Sequence, residues 1–274
     1  MDREKFIKEN LEEHYKELLS LLHPVDKHVG IFLQGSQNYN LDLYTDDYKS
    51  DIDTKAILLP SLLDICKNKE PVSTTHIRAN NEHIDLKDIR SMFDTFKKQN
   101  VNFIEILFTD YKILNPVYED IFKQINSFKD DFVRADPCQN VKTMSKMSKE
   151  KLKALTHPYP ATQEKIEKYG YDGKQLSHII RLNDFIERYI DGDDFKSCLT
   201  PSGNVRDLIL DAKLNKFSLD EAKELASEFD TLTYQLKEEF TAKHEKDAIN
   251  EEAFEKMEKV KIDILMRSFK EELR

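Results

Sequence analysis

Apolar and polar residues alternate with two different periods along the first half of the chain. Between residues 3 and 22 the apolar positions recur at helical spacing, which predicts an amphipathic helix. Short apolar runs at 29–33 and 52–59 are typical of buried strands, and 75–85 predicts a hairpin around an Ala-Asn-Asn turn. A helix follows over 87–99, where four apolar side chains share one face: Ile89, Met92, Phe93 and Phe96. The first half is therefore predicted to be a mixed α/β unit.

The second half has a different pattern. After Asp136 the apolar spacing is almost entirely helical and is interrupted only by short turns that contain Pro or Gly. A capping box begins the helix predicted over 218–240, and a last helix is predicted over 250–273. We therefore expect an α+β protein of two domains. A mixed sheet with flanking helices would cover 1–135, and an all-helical domain would cover 136–274.

Composition supports an ordered protein. The chain has 274 residues, of which 39% are hydrophobic, and this is enough to bury a full core. Its three cysteines, Cys66, Cys138 and Cys198, are far apart, which favours reduced thiols over a zinc site. No apolar run approaches the roughly 18 residues that cross a bilayer, and the first residues resemble an amphipathic helix, not a signal peptide. We expect a soluble, cytoplasmic protein with no membrane partner.

The first apolar run ends in a turn that is suited to phosphate. Gly35 lets backbone N–H groups approach an anion, and Ser36 adds a hydroxyl donor. A turn of this kind that opens toward a helix can hold a triphosphate. Gly35 and Ser36 are therefore predicted to bind nucleotide.

Two carboxylates follow on the next predicted strand. Asp51 and Asp53 are two residues apart, so strand alternation places them on the same face. Adjacent carboxylates repel each other unless a cation lies between them, and hard oxygen donors suit Mg²⁺, with Mn²⁺ as the alternative. Asp85, at the end of the hairpin, is the best third carboxylate of a two-metal site. Its rival Asp88 is better placed in the first turn of the next helix. Glu105 is either a paired, partly buried acid of the core, which is the favoured alternative, or a residue at the rim of the site.

The ordered set Gly-Ser, Asp-x-Asp and a third Asp resembles the DNA polymerase beta-like nucleotidyltransferase superfamily. Within it, the chain is similar to the bacterial and phage family of predicted nucleotidyltransferases in which a helical domain follows the catalytic one. The resemblance covers most of the chain and is weakest in the first helix and the last segment. The matching stretches are 35–39, 50–53, the strand ending at 59–60, 102–108 and 171–182.

The resemblance implies a reaction. In such enzymes Asp51 and Asp53 would hold the metal that grips a nucleoside triphosphate, and Asp85 would join them around a second metal. An acceptor hydroxyl attacks the α-phosphorus, the nucleoside monophosphate is transferred, and pyrophosphate leaves. Asp85 is also the candidate for taking the acceptor proton. The chain is expected to be a metal-dependent nucleotidyltransferase.

Two features depart from the family pattern. Asn40 stands where many relatives carry glycine, and asparagine tolerates a left-handed backbone better than other non-glycine residues. The following segment is lengthened and acidic, with Asp42, Asp46 and Asp47. That loop could repel an incoming phosphate or cap the nucleotide site, and the sequence leaves both alternatives open.

The helical half carries candidate phosphate ligands. Lys174, His178 and Arg181 share one helical face at spacings of four and three, and the resemblance makes nucleotide binding by them as favoured as a salt-bridged surface. His178 is the weakest of the three, because a lone histidine on an apolar helix usually serves packing. A separate group of lysines is a path for RNA or, the favoured alternative, a solvated helical face: Lys142, Lys146, Lys149, Lys151 and Lys153.

Three functional hypotheses remain open. The first is transfer of a nucleoside monophosphate to a hydroxyl of an RNA end, a protein side chain or a small molecule. An RNA end is the first choice, although the net charge of −10 opposes nucleic acid at long range. The second is a toxin-like transferase that modifies a protein or a transfer RNA. The third is a nonenzymatic nucleotide-binding module. The base of the nucleotide, ATP or another, the acceptor and the oligomeric state are not fixed by the sequence.

Overall fold

The computed structural model describes residues 2–22, 27–45 and 48–274. It is an α+β protein, as the sequence predicts, and its residues group into two compact units. Unit one comprises Met1–Asn38, Ser50–Ala135 and Ile249–Arg274. Unit two comprises Tyr39–Lys49 and Asp136–Ala248. Among the helices of the described residues, none is long and apolar enough to cross a membrane.

The elements are numbered in chain order. The strands are β1 (Lys27–Gln34), β2 (Asp53–Leu59), β3 (Ser73–Ile77), β4 (His83–Asp88) and β5 (Lys112–Leu114). The helices are α1 (Arg3–Leu21), α2 (Leu62–Cys66), α3 (Ile89–Lys97), α4 (Val101–Ile104), α5 (Glu119–Phe122), α6 (Lys129–Phe132), α7 (Pro137–Ala154), α8 (Gln163–Tyr169), α9 (Gly173–Asp191), α10 (Phe195–Leu199), α11 (Gly203–Lys213), α12 (Leu219–His244) and α13 (Glu251–Glu272). Short 3-10 turns cover Ser36–Tyr39, Glu105–Leu107 and Lys123–Ser127.

One mixed sheet of five strands organises unit one, in the order β3-β4-β2-β1-β5. Strands β2 and β4 are parallel, and the other neighbouring pairs are antiparallel. Gln34 is opposite Asp53 in one pair, and Lys55 is opposite Asp85 in the next. Because side chains alternate along a strand, these four residues point to the same face of the sheet. The predicted hairpin is confirmed as β3 and β4.

The other face of the sheet is covered by α1. Asp2 caps this helix by accepting the backbone N–H groups of Glu4 and Lys5, as a short acid before an apolar stripe commonly does. The helix buries its apolar stripe against side chains of β1, β2 and β4, and Ile52 packs there just before β2. The core residues on this face are Ile7, Leu11, Leu18, Ile31, Leu33, Ile52, Ala56 and Ile84. Burial of this continuous apolar surface holds α1 to the sheet.

A polar network crosses this core. His14 is fully buried, and its ring nitrogens contact Thr54 Oγ1 and Glu82 Oε2, each at 3.0 Å. Glu82 also accepts the backbone N–H of Ile52 at 3.1 Å and Arg78 Nη1 at 2.7 Å. Burial alone raises the pKa of Glu82, but hydrogen bonds from His14, Asn80 and the Ile52 backbone outweigh it and hold the pKa at about 2. The network therefore ties α1 to the segment that precedes β2 and to the β3–β4 turn.

Helix α13 belongs to unit one, although the sequence-based division assigns it to the helical domain over 136–274. The backbone N–H of Asn250 donates to the carbonyl of Ala135 at 2.9 Å. Phe254 meets Phe132 edge-to-face with ring centroids 5.6 Å apart. Helical periodicity shows that α13 has an apolar face, but it does not show which surface that face will cover.

Unit two is helical apart from its first stretch, which follows the 3-10 turn Ser36–Tyr39. The capping box at Ser218 is present, and α12 runs four residues beyond the predicted end, to His244. Helix α9 lies against α7, α11 and α12. At Gly173 a Cβ atom would lie 2.1 Å from the Ala212 carbonyl oxygen, so only glycine permits this approach of α9 to α11.

The Glu82 network gives a prediction about stability. We expect Glu82→Gln to lower the free energy of unfolding at neutral pH by on the order of 2–3 kcal/mol, because buried charge-assisted bonds are weakened. The folded pKa lies below the ordinary 4.5, so this contribution is complete above pH 4.5 and is lost as the pH falls toward 2. Urea unfolding across that range measures it, with exposed Glu12→Gln as the control. An equal stability loss at pH 2 and at neutral pH would contradict the prediction.

Candidate functional site

The turn after β1 has a left-handed backbone at its glycine. Gly35 adopts a φ of +84°, which L-residues rarely reach, and a Cβ there would meet no atom within 4 Å. The glycine is therefore required by backbone conformation and not by crowding. The backbone N–H of Asn38 donates to the Gly35 carbonyl at 3.0 Å, and the half-buried Ser36 begins the 3-10 turn. Gln37 Nε2 donates to the Asp51 carbonyl at 2.6 Å, which holds the two motifs together.

The carboxylates of the second motif differ in their surroundings. Asp51 is exposed and precedes β2, so the strand begins one residue later than the sequence predicts. Strand alternation therefore does not fix the direction of the Asp51 side chain. Asp53 is half-buried and accepts the backbone N–H of His83 at 2.9 Å. Ile52 between them is fully buried on the α1 face.

Asp85 lies on the same sheet face as Asp53. Its Oδ1 accepts the hydroxyl of Thr75 at 2.7 Å, and its Oδ2 accepts Gln34 Nε2 at 3.1 Å. Lys55 Nζ is 3.8 Å from the same Oδ2. The carboxylate is therefore held in one orientation by three strands of the sheet, β1, β2 and β3.

Lys55 is a residue that the sequence reasoning missed. It is 4% exposed, and Nζ lies 4.0 Å from Glu105 Oε1 and 4.9 Å from the ring centre of Phe103. Burial lowers the pKa of Lys55 to about 8, opposed by the carboxylates of Asp85 and Asp53. The signal was available, because alternation places a lysine two residues after Asp53 on the carboxylate face. Glu105 is 3% exposed, which agrees with the favoured alternative of a paired, buried acid.

The donor set suits a hard divalent cation only in part. Asp51 and Asp53 supply carboxylate oxygens, and each oxygen retains acceptor capacity beyond one hydrogen bond. Both oxygens of Asp85, however, already accept protein donors. Within residues 2–22, 27–45 and 48–274, no three or more His, Cys, Asp or Glu side chains form a group that could hold a metal ion. Metal binding by Asp51, Asp53 and Asp85 therefore stays a prediction from the motif.

Asp88 has the structural role that the sequence predicts. It caps α3 by accepting the backbone N–H of Arg90 at 2.8 Å, and Arg90 Nη2 donates to its second oxygen at 2.6 Å. A buried carboxylate paired in this way stabilises the helix start and is not available to the site.

The candidates of unit two form part of a larger cationic group. On α9, Lys174 is exposed, His178 is half-buried and Arg181 is buried beneath the ring of Tyr39, with 4.1 Å from Cζ to the ring centre. Burial lowers the pKa of His178 well below its usual value, and the surrounding cations lower it further: Arg181, Lys151, Lys174 and Lys213. His178 is therefore neutral at neutral pH and is not a third cation.

Acidic residues near α9 have other partners. Asp172 accepts the backbone N–H of Lys174 at 3.1 Å as the helix cap and faces Lys165 Nζ at 3.8 Å. Asp184 lies 3.7 Å from Arg188 Nη1. Burial, followed by the charges of Lys174 and Arg181, lowers the pKa of Lys151, which is part of the predicted lysine path.

The acidic loop is grouped with unit two. Asn40 adopts a φ of +57°, the left-handed conformation for which asparagine is suited. Its carbonyl accepts Arg206 Nε at 2.9 Å, and the Leu41 carbonyl accepts Lys213 Nζ at 2.9 Å. Asp42 is half-buried, while Asp46 and Asp47 lie outside the described residues. Backbone carbonyls thus attach the start of this loop to cations of unit two.

Comparison with known proteins does not extend this picture. No protein-family model matches the chain, and neither the curated proteins nor the solved structures contain a match. The resemblance to the polymerase beta-like superfamily therefore stays a prediction from the motifs.

The buried Lys55–Glu105 pair gives a second prediction. We expect a double-mutant cycle of Lys55→Met and Glu105→Gln to give a coupling energy of about 1–2 kcal/mol in urea unfolding, because charges in a poorly hydrated site interact strongly. The exposed pair Lys5–Glu9, 3.8 Å apart, is the control and is expected below about 0.5 kcal/mol. A buried pair that couples no more strongly than the exposed one would show that Lys55 is placed by packing alone.

Proposed function

We propose that this chain is a metal-dependent nucleotidyltransferase of the polymerase beta-like superfamily. It would move a nucleoside monophosphate from a nucleoside triphosphate to an acceptor hydroxyl and release pyrophosphate. The observation that carries the proposal is the strand register, which gathers Gln34, Asp53, Lys55 and Asp85 on one sheet face beside the Gly35 turn. A phosphate-suited turn next to organised carboxylates can bind phosphate and a divalent cation side by side, and both serve phosphoryl transfer.

Each residue of this face has a proposed role. Asp51 and Asp53 would hold Mg²⁺ or Mn²⁺, and Asp85 would contribute to a second metal position. A bound divalent cation supplies charge stabilisation for the entering and departing oxygens. The Ser36 hydroxyl and the backbone N–H groups of the turn would bind the phosphates, since both are hydrogen-bond donors.

Proton removal falls to Asp85. Its carboxylate would accept the proton of the acceptor hydroxyl as that oxygen attacks the α-phosphorus. Thr75 and Gln34 hold the Asp85 carboxylate in one orientation. The buried ammonium group of Lys55 stabilises the negative charge of this sheet face. Lys55 is therefore proposed as a positioning residue.

In unit two, Lys174 and Arg181 are proposed to bind phosphate as cations. His178 would take part as a neutral ring, which can donate from one nitrogen and accept at the other. An RNA end remains the first choice of acceptor, and a protein or transfer RNA acceptor remains the alternative.

One observation favours a second candidate, a nonenzymatic nucleotide-binding module. Both oxygens of Asp85 accept donors of the protein itself, and Lys55 lies beside them. If that arrangement persists when nucleotide binds, Asp85 takes no proton and the chain binds nucleotide without turnover.

The proposal predicts a dependence on two carboxylates. Pyrophosphate release would be measured from each of the four nucleoside triphosphates with Mg²⁺ and a mixed small-RNA pool. We expect Asp51→Asn/Asp53→Asn to reduce release at least about 100-fold, because the charge that holds the cation is lost.

Asp94→Asn/Asp130→Asn is the matched control, because it removes two exposed carboxylates from the same unit. The control is expected to retain activity. Release that survives in Asp51→Asn/Asp53→Asn would overturn the transferase. Nucleotide binding without release from any of the four would favour the nonenzymatic module.

A further inference from the structure

Unit two contains a cavity of about 330 Å³ that the proposed reaction does not use. Its described lining includes two tyrosines, three lysines and one glutamate: Tyr48, Tyr169, Lys165, Lys168, Lys213 and Glu164. Small-ligand sites usually measure about 300–1,000 Å³, so this cavity is near the lower limit. It suits one small ligand or one unit of a chain.

The charge of this cavity is opposite to that of the chain. The protein carries a net charge of −10, yet the described lining holds three cations against one anion. Among the cavities of the described residues, one in unit one is lined by three acidic and three basic residues, and another on α12 holds only Glu224 and Glu228 as charged groups. Excess positive charge in an acidic protein concentrates anions at this place.

One of the cations, Lys213, is buried and held in place by the protein. Lys213 is only 9% exposed, its Nζ donates to the Leu41 carbonyl at 2.9 Å, and it lies 5.2 Å from the ring centre of Tyr48. These contacts hold the ammonium group at the cavity wall, where its positive charge attracts an anion. Lys213 is also one of the cations that lower the pKa of His178, so the positive charge at the cavity also acts on a side chain of α9.

The remaining lining supplies one further cation and two aromatic surfaces. Lys165 faces Asp172 at 3.8 Å, a distance that leaves its ammonium hydrogens available to a closer acceptor. Tyr169 is 38% exposed, and Lys168 Nζ lies 4.8 Å from its ring centre. Tyrosine rings beside lysines are the surfaces on which bases of single-stranded nucleic acid stack while phosphates are neutralised.

We propose that this cavity binds one nucleotide unit, with the base against Tyr169 or Tyr48 and the phosphate at Lys165, Lys168 and Lys213. A free nucleoside monophosphate and a single strand of RNA both supply such a unit, because they share this chemistry. The site lies in unit two and does not depend on Asp51 or Asp53, so it goes beyond the proposed transfer reaction.

The test is equilibrium binding of the full chain without divalent cations, with one arm using the four nucleoside monophosphates and the other a fluorescent single-stranded RNA hexamer. We expect Tyr169→Ala to weaken binding roughly tenfold, in the range that one lost stacking contact gives. We expect Lys165→Gln/Lys168→Gln to reduce the salt dependence of RNA binding by a slope of about 1.4, for two phosphate contacts on a single strand.

Matched controls are Tyr159→Ala, which removes another exposed ring of unit two, and Lys223→Gln/Lys246→Gln, which removes two exposed charges. Both are expected to bind as wild type does. Binding that persists in Asp51→Asn/Asp53→Asn would separate this site from the transferase site. Absence of binding in both arms, or equal affinity of the Tyr169 variant and its control, would overturn the proposal.

Discussion

The parallel pairing of β2 with β4 is the constraint on which the candidate site depends. It places Lys55 opposite Asp85, while the antiparallel pairing of β2 with β1 places Gln34 opposite Asp53. A shift of one residue would turn Asp85 toward α1 and bring Ile84 to the polar face. Burial of Ile52, Ala56 and Ile84 beneath α1 opposes that shift, so the apolar core fixes the position of the polar groups.

Local periodicity predicted much of this arrangement. The strands β1 and β2 were visible as apolar runs, the β3–β4 hairpin through its turn residues, and α3 through its helical period. Strand β5 was not predicted, since three residues carry no measurable pattern. The burial of Lys55 and the grouping of α13 with unit one depend on contacts distant in sequence. Within the candidate site, the motif residues were predictable, but the partners that orient Asp85 were not. Those partners come from three different strands, and no local pattern shows which strands will be neighbours in the sheet.

Buried cations recur in this acidic chain, and they lie where function is proposed. Lys55 is placed among carboxylates in unit one, whereas Arg181 and Lys213 are placed among other cations and tyrosine rings in unit two. The two environments have opposite consequences. The first neutralises negative charge that the fold itself introduces, and the second concentrates positive charge where we propose that phosphate binds.

The grouping of α13 with the sheet has a consequence for how the chain folds. Unit one is assembled from three separate stretches of sequence, and unit two supplies both intervening stretches. The contacts of α13 with α3, α5 and α6 therefore join residues more than a hundred positions apart. Such closure is slow, because a long loop must be ordered before its contacts are gained. During synthesis, the helices α7 to α12 emerge before α13 and can become compact while unit one still lacks its last helix.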